Sequence, residues 1–237
     1  MAYEKIFENA EFLVINKPAG ILTHGAEHIK EPNLMDEILH DYPEVAKVGD
    51  DPERPGLMHR LDKMASGLMV IARTQDSFDN LKSQFQKRTV EKIYTVLVYG
   101  KIDKDDGIID FPIERSAKGF KMAALPKTKK GETSDEGHIA ISEFFVAKRF
   151  INYTLLQVKI KTGRTHQIRV HLAAYGHPVV GDDLYGTKKT HDKNKKLHTQ
   201  RIFLVASELK FKDLSGKINR FEIDLPNEFK NLLKTIK

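Results

Sequence analysis

The sequence predicts an α+β fold, a mixed and mainly antiparallel β-sheet with flanking helices. Many short segments alternate apolar and polar residues with the period of two of a half-buried strand, and few show the 3.6-residue period of a helix. The connections between the strand-like segments are mostly short and carry Gly, Asn, Asp or Pro, as hairpins do. No internal repeat and no interdomain linker interrupts the chain, so residues 1–237 are expected to form one domain.

Taken in order, Lys5 to Asn16 reads as a short strand, a turn at Asn9-Ala10-Glu11 and a strand from Phe12 to Ile15. Lys17-Pro18-Ala19-Gly20 is a turn signal. Leu34 to Leu39 forms a short amphipathic helix with Asn33 as its N-cap. Asp41 to Gly56 holds three prolines and two glycines and is expected to be irregular. Leu68 to Ala72 is an uninterrupted apolar run, a buried strand. Asp76 then caps a helix to about Arg88 whose Phe78, Leu81 and Phe85 share a face.

Val90 to Ile102 is the next strand, with Tyr94, Val96 and Val98 on one side. A hairpin around Asp103 to Gly107 leads into Ile108 to Phe111, and Ser116 to Gly137 is basic and irregular. Strands follow at His138 to Arg149 and Tyr153 to Lys161, joined at Ile151-Asn152. A helix from Thr165 to Tyr175 stops at Gly176-His177-Pro178, and a loop runs through Gly186. Strands at Arg201 to Ala206 and Arg220 to Leu225 flank a Ser215-Gly216 turn. Pro226 opens a last helix with Phe229, Leu232, Leu233 and Ile236 facing inward.

Composition narrows the function classes. Apolar residues at 40% and charged residues at 30% describe a globular chain. No apolar run approaches the ~20 residues of a membrane span, and the amino terminus has no secretory pattern. Without cysteine there is neither a disulfide framework nor a thiolate zinc site, and a cytoplasmic protein is expected. The net charge of +6 suits a polyanionic partner. Lysines crowd two segments read as loops: Lys118, Lys121, Lys127, Lys129 and Lys130, then Lys188, Lys189, Lys193, Lys195 and Lys196.

Two stretches carry chemistry. In His59-Arg60-Leu61-Asp62-Lys63, a carboxylate sits between two cations that favour its ionised form, just ahead of a buried strand. Such a carboxylate is placed as a covalent catalyst is, or as a plain ion pair at a strand entrance. In Gly163-Arg164-Thr165-His166-Gln167-Ile168-Arg169, cations and polar donors gather at the start of a helix, where free N–H groups favour anions. Gly176 to Gly186 holds three glycines and a proline and demands a defined backbone path.

Together with Lys92-Ile93-Tyr94, the His59 to Leu68 and Gly163 to Gly186 stretches resemble the RluA family of RNA pseudouridine synthases, in order and approximate spacing. The resemblance implies the pseudouridine synthase fold with an RNA-binding cleft, no metal and no organic cofactor, and ribosomal or transfer RNA as substrate. It implies Asp62 as nucleophile, Tyr94 packed against the target uracil, and Arg164 as the basic partner of the aspartate. His59, Arg60, His166, Gln167 and Arg169 are the accompanying candidates for substrate binding. Base flipping is required, because the reacting atoms are not accessible in a stack. The sequence leaves open whether Asp62 attacks the base or the ribose.

The chain departs from the family where Met64 and Ala65 replace an acidic residue and a threonine, which removes a hydroxyl that could brace the loop. No room for a small S4-type RNA-binding domain is expected ahead of Tyr3, and a monomer is expected. Two competing readings are a non-catalytic RNA-binding or chaperone module retaining the fold, and a metal-dependent hydrolase acting on nucleic acid. The second needs a carboxylate/histidine cluster; His166 and His171, five apart, point to different helix faces.

Overall fold

A computed structural model describes residues 3–25, 31–116, 119, 121–125, 137–198 and 201–237. In chain order the strands are β1 (Glu4–Glu8), β2 (Phe12–Lys17), β3 (Ser66–Ala72), β4 (Glu91–Tyr99), β5 (Asp106–Ile109), β6 (Ile113–Arg115), β7 (Met122–Ala124), β8 (Ser142–Arg149), β9 (Tyr153–Ile160), β10 (Leu204–Lys212) and β11 (Ile218–Glu222). The helices are α1 (Leu34–Asp41), α2 (Gln75–Gln86), α3 (Gln167–Ala174), α4 (Lys188–Leu197) and α5 (Asn227–Thr235). The mixed, mainly antiparallel sheet read from the sequence is present. The chain divides into two compact units: Met1–Lys92 with Val205–Asp224, and Ile93–Leu204 with Leu225–Lys237.

In the first unit β1 pairs antiparallel with β2, and β2 with β3 from Phe12↔Ala72 to Lys17↔Gly67. On its other side β3 pairs parallel with β10, which pairs antiparallel with β11. The parallel pair is close: a Cβ built on Gly67, whose φ is +125°, would lie 2.4 Å from the Ala206 carbonyl oxygen. Only glycine fits there. Phe12, Val14, Leu68, Val70, Leu209 and Phe211 present one apolar face, and α2 covers it with Phe78 and Leu81. Thr74, not Asp76, caps α2: its hydroxyl accepts from the Ser77 N–H, and Asp76 instead adds negative charge to the first turn. Asn33 caps α1 as expected and forms a reciprocal capping box with Asp36. The stretch after α1 is not wholly irregular, since Pro43–Lys47 makes a 3-10 turn.

In the second unit the order is β4-β9-β8-β5, all antiparallel. The Asp103 to Gly107 connection is therefore not a hairpin closing on β4; β5 finds its partner in β8, a pairing local sequence cannot announce. β8 also starts later than expected, at Ser142, because His138 leaves the sheet to bridge Ile113. β6 and β7 pair antiparallel with each other, placing a strand inside the stretch read as irregular. Lys118, Lys127, Lys129 and Lys130 lie outside the described residues.

The second lysine run is a helix, not a loop. α4 has no apolar stripe; Thr187 caps it, and buried Asn194 anchors it by bonding to the Tyr99 hydroxyl, the Gly181 N–H, the Asp182 carbonyl and the Asp183 carboxylate. In α5 Phe229 is fully buried and Leu232, Leu233 and Ile236 are half-buried.

Candidate active site

His59, Arg60 and Asp62 belong to the first unit, and Tyr94, Arg164, His166, Gln167 and Arg169 to the second. In the first unit, Asp62 is half-buried at the entrance to β3, and its carbonyl accepts from the Ala65 N–H. Arg60 is exposed. The Lys63 ammonium pairs with Glu31.

Two residues that sequence reasoning passed over hold the backbone around Asp62. Lys17 ends β2 with a side chain that is 0% exposed, and its Nζ donates to the carbonyls of Pro18 (2.9 Å), Ile21 (2.8 Å) and Lys63 (3.3 Å). The Lys63 carbonyl also accepts from the Gly20 N–H at 2.7 Å. The Thr23 hydroxyl donates to the Leu61 carbonyl (2.9 Å) and accepts from the Leu61 N–H (3.3 Å). The segment bearing Asp62 is thus pinned on both sides from the Lys17–Thr23 turn, so Ala65 needs no hydroxyl to brace it. The sequence does hold one signal for Lys17: it continues the Leu13, Ile15 alternation and so points to the buried side of β2.

His59 lies under the segment. Its ring stacks on Phe85 at 4.9 Å between centroids, and Nε2 accepts from the Val70 N–H at 3.1 Å. Burial, and secondarily the Lys92 ammonium, push its pKa down to about 3, so the ring is neutral with its proton on Nδ1. Lys92 sits over the same Phe85 ring at 5.1 Å, and burial lowers its pKa to about 8. His59 therefore fastens the Asp62 segment to β3.

In the second unit Tyr94 is 6% exposed and stands opposite Val158 on β9. The start of α3 gathers the remaining candidates. His166 caps the helix in the left-handed region, φ 55°, which delays the first helical residue to Gln167. Its Nδ1 lies 2.9 Å from the Tyr185 hydroxyl, which accepts from the Met122 N–H at 2.8 Å. With that hydroxyl donating to Nδ1, the ring carries its proton on Nε2.

Gln167 is buried, its Oε1 taking the Thr162 hydroxyl and the Arg164 N–H while its Nε2 donates to the Ile141 carbonyl and the Ser142 hydroxyl. Arg169 is buried in a two-bond pair with Asp182, at 2.7 and 3.0 Å, over the Tyr185 ring. These two side chains are directed into the protein, while Arg164 is exposed, with Nε donating to the Ile139 carbonyl at 3.2 Å. One turn further, His171 donates from Nε2 to the Phe111 carbonyl and accepts the Ser142 hydroxyl on Nδ1; burial lowers its pKa.

Asp182 and Tyr185, which the sequence suggested only as parts of a glycine-rich path, thus fix the polar base of α3. Asp182 Oδ1 also accepts the Leu184 and Tyr185 N–H groups, so the path after Gly181 is shaped by a carboxylate. Among the described residues no group of three or more side chains could hold a metal ion, and no helix is long and apolar enough to cross a membrane.

The family model described as RNA pseudouridylate synthase matches residues 11–174. An uncharacterized RNA pseudouridine synthase of Aquifex aeolicus is 40% identical over 232 residues, 96% of this chain and 71% of that protein. Ribosomal large subunit pseudouridine synthase D of Pseudomonas aeruginosa is 41% identical over 184 residues, 77% of this chain and 53% of its own length. The fold is that of the solved human RNA pseudouridylate synthase domain containing 4, with a TM-score of 0.76 at 24% identity over 98% of this chain and 92% of that one. The chain belongs to the RluA-type RNA pseudouridylate synthases, a family of isomerases acting on RNA.

Proposed function

We propose that the chain isomerises uridines of ribosomal RNA to pseudouridine, with residues 1–237 as the catalytic domain of a cytoplasmic monomer. The relatives named ribosomal large subunit pseudouridine synthase D support the choice of RNA. The observation that carries the catalytic reading is the pinned segment around Asp62. A carboxylate at the head of a fully buried strand, its neighbours tied to Lys17 and Thr23, is held as a nucleophile must be.

In the reaction the N1–C1′ bond breaks, a C5–C1′ bond forms, carbon 5 loses its proton and N1 gains one, so composition is unchanged. Asp62 either adds to carbon 6 of the uracil and is expelled after the C5–C1′ bond has formed, or bonds to the ribose anomeric carbon as N1 leaves it and is displaced from that carbon as C5 attacks. Tyr94 offers an aromatic face for the flipped base, as a splayed-out uracil requires. Arg164 and Arg60, both exposed, supply positive charge toward the substrate. The exposed lysines of α4 grip phosphates without reading sequence.

The test is release of tritium from carbon 5 of uridines in ribosomal and, separately, transfer RNA transcripts, by the native chain and by Asp62→Ala. Release from ribosomal RNA that is abolished in Asp62→Ala is expected. Release from transfer RNA alone refutes the substrate assignment. Binding without any release makes the chain a non-catalytic RNA-binding module.

A further inference from the structure

Ile139 is a large apolar side chain left 63% exposed beside Arg164. A lone exposed isoleucine is ordinary on a protein surface, and the chain has others at Ile108, Ile151 and Ile218. What distinguishes Ile139 is how it is held. One residue before it, His138 exchanges both backbone hydrogen bonds with Ile113, at 2.9 and 2.8 Å. One residue after it, Ala140 is fully buried in the cluster of Ile113, Val170 and Tyr185. Next, the Ile141 N–H donates to the Thr162 hydroxyl at 3.0 Å, and the Ile141 carbonyl accepts from Lys161 and Gln167. The Ile139 carbonyl itself takes the Arg164 guanidinium. The backbone is therefore clamped before and after a side chain that stays exposed.

The surroundings state what would use it. Arg164 is exposed beside it, so a partner that presents negative charge around a small apolar face fits there. RNA does so, with phosphates flanking the planes of its bases. We propose that Ile139 is a nucleobase wedge, a rigid apolar contact that takes the face of a base beside the target uridine and keeps the stack open while that uridine is flipped. This rests on the synthase reading above. Apolar side chains inserted between bases open a stack in this way, provided the backbone behind them does not yield.

The chain contains no tryptophan, so an Ile139→Trp variant carries a single indole at the site, and Ile151→Trp, at an exposed hairpin turn, serves as control. Each is titrated with a ribosomal-RNA stem-loop holding a uridine in its loop. Stacking on a base quenches the indole at 139 and leaves that at 151 unchanged. This readout needs no turnover. In parallel, single-turnover tritium release is compared for the native chain, Ile139→Leu and Ile139→Ser. Ile139→Ser is expected to be about tenfold slower, because opening one base step without the wedge opposes flipping, whereas Ile139→Leu keeps near-native rates.

On RNA abasic at the neighbouring position there is no stack to open, and the Ile139→Ser defect disappears; a merely structural defect persists. Absence of quenching at 139, equal rates for Ile139→Ser on intact RNA, or an undiminished defect on the abasic RNA overturns the wedge. Quenching at 139 with no tritium release by the native chain overturns the synthase reading and leaves Ile139 as an RNA contact. Release without quenching does the reverse.

Discussion

Replacing Lys17 by methionine tests the link between the β2 terminus and the Asp62 segment. Methionine matches the length of the lysine stem but donates nothing. The Pro18 and Ile21 carbonyls lose short bonds of 2.9 and 2.8 Å, whereas the Lys63 carbonyl loses only a bond of 3.3 Å and keeps the Gly20 N–H. Two hydrogen bonds from a charged donor contribute about 1.5–3 kcal/mol each, so the gross loss is about 3–6 kcal/mol. Relief from burying the ammonium offsets roughly half, leaving Lys17→Met destabilised by about 1.5–3 kcal/mol. In urea unfolding this lowers the midpoint by about 1 M at an unchanged slope of about 2–3 kcal/mol/M. With the Pro18–Ile21 turn loosened, the Gly20 N–H that holds the Lys63 carbonyl shifts with it, and tritium release falls by about 10²-fold, the penalty of an ångström's displacement at a reacting site. Lys17→Arg does not rescue, because a planar fork does not fit a site built for a compact ammonium. A midpoint within about 0.3 M of the native chain, or native turnover in Lys17→Met, refutes the reasoning.

Three further outcomes follow from the packing. His59 has its folded pKa held near 3, below the ordinary 6.5, so the unfolded chain binds a proton that the folded chain refuses. Its contribution is complete above about pH 6.5 and is lost as pH falls toward 3, by up to about 1.4 kcal/mol per pH unit. His59→Gln flattens the pH dependence of the urea midpoint by that amount. Asp182→Asn strands the buried Arg169 guanidinium and destabilises by about 3–5 kcal/mol, read as a drop of about 10 °C in Tm by circular dichroism. Changing Lys188, Lys189, Lys195 and Lys196 together to glutamine weakens RNA binding across sequences, and the salt slope in filter binding falls by about 0.7–0.9 for each phosphate left without its lysine. Folding changes little, because removing Lys188 and Lys189, which oppose the dipole at the start of α4, offsets the loss of Lys195 and Lys196, which favour it in the last turn.

Strands whose apolar pattern is set by local burial were legible: β2, β3, β4 and β9 stand close to where an apolar run or alternation places them. So was α1, whose Asn33 cap and Asp36 form a pattern contained in four residues. What escaped is what depends on distant partners. α4 is held by one asparagine bonded to a loop and to β4, a polar anchor that no hydrophobic period reports. β5 belongs to β8 because of a closure far along the chain. His166 takes a left-handed conformation that side chains seldom adopt, so the true start of α3 was invisible. At the site, Asp62 and Arg164 stood out by their neighbours in sequence, whereas Lys17 looked like the edge of a turn and Asp182 like one acid among glycines. Both act through backbone atoms that composition does not show.

The parallel pairing of β3 with β10 has a consequence for the order in which the protein can be made. The strand that follows Asp62 is buried along its whole length and wins its second neighbour only when Val205 and Ala206 are in place, with Gly67 against Ala206. Until the ribosome has delivered that late segment, the first unit keeps one sheet edge bare and sticky. The interval spans the synthesis of most of the second unit. A nascent chain stalled before Val205 is thus a target for holdase chaperones, and the strand that follows Asp62 is among the last to be completed.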